Sequence, residues 1–109
     1  MTELNLPQAT LTATYLFRLS RNVADYSSEE CDRFLLLGLQ YRAAVSDLVQ
    51  KEFTRVNPAV VEDANQRLGK LADRLAQELQ GIKDIATTVK QAADLLAILE
   101  KIILIASGM

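Results

Sequence analysis

With 109 residues, half of them hydrophobic and about a quarter charged, the chain is the size of one domain and can bury a core without disulfides or metals. Two prolines and four glycines in the whole chain, beside abundant Leu, Ala, Gln, Glu, Lys and Arg, predict an all-α fold of long helices with tight connections. Twelve basic and fourteen acidic residues, spread as six and seven in each half, form no basic stripe for nucleic acid, and the lone Cys31 cannot form an internal disulfide.

The opening stretch MTELNLPQ carries an acid where an export signal needs bases and has no apolar run behind it, so the expected compartment is the cytoplasm. Residues 1–7 read as an extended lead-in to a single helical domain spanning 1–109. A first helix is predicted from Pro7 or Gln8 to Asp25, because proline suits a first helical turn. Its thin apolar stripe is Ala9, Ala13, Leu16, Leu19, Ser20 and Val23.

Ser27 stands three residues before Glu30 and just ahead of an apolar run, which is the pattern of a capping box. The second helix is therefore predicted from Ser28 to about Val56, with Cys31, Phe34, Leu35, Gly38, Tyr41, Val45, Leu48, Val49, Phe53 and Val56 in its stripe. Glu29 with Arg33, and Asp47 with Lys51, have i,i+4 spacing on its remaining surface. Asn57-Pro58 stops this helix and starts a third, whose core stripe is Val61, Ala64, Leu68, Leu71, Ala72, Leu75 and Leu79. Asp63 with Arg67, and Arg74 with Glu78, read as its solvated face.

Gly81 admits two architectures. As a C-terminal cap it ends the third helix and leaves Asp84 to cap a fourth from about Ile85 to Ala106, giving an antiparallel bundle of four helices with short loops. As an interior residue it makes three helices, the last continuing about 73 Å from Pro58 to Ala106 and requiring a dimer to cover it. The apolar phase persists across Gly81, yet the four-helix form is preferred, because the preceding helix cannot cover so long a partner.

The chain has no histidine, which removes the imidazole base, the Ser-His and Cys-His pairs, and the Glu-x-x-His metal site of helical bundles. Gly69-Lys70 and Gly81-Ile82-Lys83 lack the surroundings of a phosphate loop. Cys31 reads as a reduced core residue. The acids Glu29, Glu30 and Asp32 read as complements to a helix dipole and not as cation ligands. No catalytic residue, cofactor or metal ligand is expected, and the chain is read as a non-enzyme.

Two features remain. Arg42 and Glu100 interrupt apolar stripes at similar depth in helices that run parallel, which predicts a buried ion pair of Arg42 with Glu100 or Glu52. The final helix carries more aliphatic surface than one face needs. Projection puts Ile82, Ala86, Val89, Ala93, Leu96 and Ile103 on the core side; Leu95, Ile98, Leu99, Ile102 and Ile105 are then either enclosed by the other helices or a candidate interaction surface, which the sequence leaves open. The expected role is a protein-protein interaction or self-associating module. The alternative is a membrane-associated or membrane-active small protein, or the partner that neutralises one, acting through the same helix. Partner, pathway and oligomeric state are not written in these residues.

Overall fold

Each of the four helices starts at a side chain able to accept a hydrogen bond from the first turn. A computed structural model describes residues 3–108. It consists of α1 (Leu6–Ser20), α2 (Ser28–Leu48), α3 (Pro58–Leu79) and α4 (Ile85–Ala106), with no strand among the described residues. Asn5 caps α1 through the Gln8 N–H at 3.1 Å. Ser27 and Glu30 form the reciprocal capping box of α2 at 3.1 and 2.8 Å. Asn57 caps α3 through Ala59, and Asp84 caps α4 through Thr87. These bonds satisfy donors that have no partner inside the helix.

Gly81 ends α3. Its φ of +89° lies in the left-handed region, where a Cβ is strained. The Ile82 N–H reaches back to the Gln77 carbonyl at 2.9 Å and the Gly81 N–H to Glu78 at 3.0 Å, the paired bonds of a Schellman cap. The chain therefore folds back as an α3–α4 hairpin, and the continuous helix through Gly81 does not form.

α1 packs against α2 and α3, and α4 against α3 and α2, so the helices occupy the corners of a square in the order 1-2-4-3. α2 and α3 stand diagonally, their backbones separated by the core that both line. This explains why α2 stops at Leu48 instead of continuing to Val56: the chain must cross the end of the bundle to reach the opposite corner. Residues 49–57 make that crossing and bury Val56 on the way. α1 also ends early, at Ser20 instead of Asp25. The segment after it turns through Arg21–Tyr26, leaving Val23 80% exposed and burying Tyr26.

Phe34, Tyr41, Leu16, Leu19, Leu68, Leu71, Leu75, Leu95 and Leu99 form the centre of the core. Two hydrogen-bonded links hold its register. The Tyr41 hydroxyl donates to the Ala92 carbonyl at 2.6 Å, joining α2 to α4. Asn65 of α3 accepts from the Asn5 N–H at 2.7 Å and donates to the Glu3 carbonyl at 2.8 Å, fastening the lead-in, whose Leu4 is buried.

Candidate functional site

The largest departure from the sequence pattern lies at the end of the bundle where α3 turns into α4. Glu78 falls on the Leu68, Leu71, Leu75 period of α3, seven residues after Leu71, and points inward with 1% of its surface exposed. A carboxylate taken out of water must be compensated by donors. One Glu78 oxygen accepts from the Tyr26 hydroxyl at 2.5 Å. The other accepts from the Asp84 N–H at 2.6 Å, the Thr88 hydroxyl at 2.8 Å and the Arg74 guanidinium at 3.4 Å. Arg74 also donates to the Ile82 carbonyl. Lys83 lies over the Tyr26 ring, 4.9 Å from its centre, and donates to the Asp25 carbonyl.

This cluster draws one residue or more from the α1–α2 turn, α3, the α3–α4 turn and α4. Burial first, and then the hydrogen bond to Glu78, push the Tyr26 hydroxyl above the ordinary phenol range, which keeps it a donor. With both carboxylate oxygens occupied by protein donors, Glu78 is a joint between turns and not an idle base. The reading of Arg74 and Glu78 as a solvated pair is thus corrected. Spacing does not separate Glu78 from Leu79, which follow Leu75 by three and four residues and both lie toward the stripe; packing decides between them and leaves Leu79 only half-buried.

The expected buried ion pair is also corrected. Arg42, Glu52 and Glu100 are all exposed, and no ion pair joins them among the described residues. Arg42 sits on the flank of α2 facing α1, with its guanidinium 5.4 Å from the centre of the Phe17 ring. Solvation plus a stacked ring serves a guanidinium better than enclosure. Glu52 belongs to the crossing segment and not to α2.

On α4 the anticipated phase is displaced. Leu95, Leu99 and Ile102 are core residues at 0–1% exposure, and Ile98 and Ile105 are half-buried. Of the residues expected inside, Leu96 is buried and Val89 and Ile103 pack half-buried against the core, whereas Ala86 and Ala93 face solvent and Ile82 is 56% exposed in the turn. The hairpin breaks phase continuity, and α4 is free to present its bulkier side. Leucine and isoleucine remove more apolar area from water than alanine, at about 25 cal/mol per Å².

What remains outside is a different surface. Leu36 of α2 and Leu104 of α4 are 58% and 53% exposed. Between them run Ala43, Ala93 and Ala97, all exposed, and a shallow groove of about 390 Å³ lined by Gln40, Ala43, Ala44, Asp47, Glu100, Ile103 and Leu104. A second groove, of about 280 Å³ between α3 and α4, is lined by charged residues and two glutamines, and in it Asp63 already pairs with Arg67 and Asp94 with Lys90. A third, of about 700 Å³, lies between the lead-in and the crossing segment. Cys31 is buried, its thiol facing the Tyr26 carbonyl. Among the described residues no cluster of three or more His, Cys, Asp or Glu has the arrangement of a metal site, and no helix is long and apolar enough to cross a membrane.

Compared with protein-family models, curated proteins and solved structures, the chain matches none.

Proposed function

We propose that this chain is a non-catalytic helical module acting by protein contact, and that the contact is made by the outer side of α2 with the adjoining edge of α4. The observation that carries the reading is the apolar strip from Leu36 through Ala43 and Ala97 to Leu104, left outside by a bundle whose own core is filled. Leucines more than half exposed, beside alanines that let another backbone approach closely, suit the groove-docking of a protein helix. Of the C-terminal aliphatics first considered for this role, Leu95, Leu99 and Ile102 are spent on the core and Ile98 and Ile105 are half-buried, so they offer less to docking or lipid contact than the exposed strip does. The proposal places the protein in the cytoplasm, where a free, buried Cys31 stays reduced.

Site-specific photo-crosslinking in cells tests the reading. A photoreactive residue at position 36 or 104 is expected to give discrete protein adducts, and one at the exposed Gln66 of α3 is expected to give few. Equal labelling from both sides, or none from either, refutes it.

A further inference from the structure

The exposed residues of α2 have an order that bears on what covers them. Arg33, Leu36, Gln40, Ala43 and Asp47 are spaced 3-4-3-4, all are exposed, and successive turns stack them in one straight seam about 21 Å long. The seam begins with a cation, ends with an anion, and has Gln40 at its midpoint.

Neither terminal charge is paired among the described residues. Within α3 and α4 the i,i+4 spacing of opposite charges produces ion pairs: Asp63 with Arg67, Arg74 with Glu78, and Lys90 with Asp94. On α2 the same spacing of Glu29 with Arg33 produces none among the described residues, and Lys51, which lies beyond the end of α2 in the crossing segment, forms none with Asp47. Glu30, the other acid of the first turn, is engaged in the capping box. Arg33 and Asp47 therefore face outward with their charges available to a partner.

Resting on the protein-contact reading above, we infer that the occupant of this face is a second copy of the chain, with the two α2 helices antiparallel about a two-fold axis at Gln40. That axis brings Arg33 of each copy to Asp47 of the other and Leu36 to Ala43, and it sets the two Gln40 amides against each other. A two-fold perpendicular to the helices keeps the α4 flank of one copy beside the α4 flank of the other, so Leu104 is covered from the same side. The seam is self-complementary in charge and in bulk, since a large residue meets a small one.

The available area sets the strength. Two neighbouring helices about 30 Å long present a face of roughly 600 Å² per copy, below the roughly 800 Å² of a standard stable interface. The dimer is therefore concentration-dependent and salt-sensitive, its charged pairs being at the rim.

Sedimentation equilibrium on the full chain tests this, with circular dichroism confirming that each variant is folded. Wild type is expected to pass from monomer to dimer with rising concentration. Arg33→Asp and Asp47→Arg, each alone, set like charges together twice and raise the dissociation constant about tenfold or more. An equimolar mixture of those two variants restores both pairs in the heterodimer, and its constant returns to within about threefold of wild type. A wild-type chain that stays monomeric, a dimer indifferent to both swaps, or a mixture that fails to recover overturns the inference. Crosslinks from position 36 to other proteins, together with a monomeric wild type, leave the protein-contact reading standing and remove the two-fold. Absence of any crosslink from that face removes both.

Discussion

Replacing Glu78 with glutamine keeps the side chain's size and removes its charge, which makes it a direct test of the joint between the two turns. The carboxylate accepts four hydrogen bonds while fully enclosed. In the glutamine variant the amide oxygen must serve the Asp84 N–H and Thr88, because an NH₂ there would oppose a backbone donor. The NH₂ then turns to Tyr26, whose hydroxyl loses its 2.5 Å acceptor. Hydrogen bonds to a charged group contribute about 1.5–3 kcal/mol against about 0.5–1.5 for neutral ones. Weakening the bonds from Asp84, Thr88 and Tyr26, and leaving the largely buried Arg74 without its anion, sums to about 2–4 kcal/mol. An unfolding entropy of about 2.1 cal/mol/K per residue amounts to about 0.23 kcal/mol/K for this chain, so the melting temperature should fall by roughly 9–17 °C. Thermal and urea melts followed by helical circular dichroism read both quantities. Tyr26→Phe in each background completes the cycle: it should cost clearly more in the wild-type chain than in the Glu78→Gln variant. A Glu78→Gln variant within about 0.5 kcal/mol of wild type, or equal costs for Tyr26→Phe in the two backgrounds, refutes the account.

Other outcomes follow from the same structure. Leu99→Ala, at a wholly buried site, should cost about 2–5 kcal/mol, and Leu104→Ala within about 0.5 kcal/mol of zero; reversed costs in chemical melts would return α4 to its other phase. Gly81→Ala should destabilise by about 1 kcal/mol or more because of the +89° φ, whereas Gly69→Ala, in a helix interior with nothing within 4 Å of an added Cβ, should stabilise by about 0.5–1 kcal/mol. Burial raises the hydroxyls of both Tyr26 and Tyr41 above the ordinary value of 10.0. The fold thus favours their protonated form, and their contribution is complete below pH about 10 and lost as pH rises beyond it. In an alkaline titration, phenolate absorbance from these two tyrosines should appear together with loss of helix; full ionisation with the helices intact would disprove their burial.

The four helix starts were legible in the residues because each is a local event. Pro7, Ser27 with Glu30, Asn57 with Pro58, and Asp84 after Gly81 act within one turn of chain, although the Asn5 cap sets the first start one residue before Pro7, and the α3 stripe from Val61 to Leu75 repeats strongly enough to identify its buried side. The ends of α1 and α2 were less legible. What stops α2 at Leu48 is the diagonal position of α3, a fact about distant segments, and the apolar Phe53 and Val56 look the same in a helix as in a loop folded onto the core.

For the candidate surface, spacing alone put Arg42, Glu52 and Glu100 inside, which packing reversed, and left Leu95, Leu99 and Ile102 open between core and interface, which packing decided for the core. A projection fixes angles within one helix but not the rotation of that helix about its own axis, which is chosen by the neighbours it touches. On α4, where nearly every side carries aliphatics, several rotations satisfy the pattern and only volume against α2 and α3 discriminates. Residue chemistry by itself determined the class and most of the caps, and favoured the hairpin at Gly81 without closing the question. Tertiary structure decided the phase of α4, the burial of Glu78 beneath Tyr26 and the exposure of the α2 seam, because each depends on which surfaces meet and not on what one segment contains.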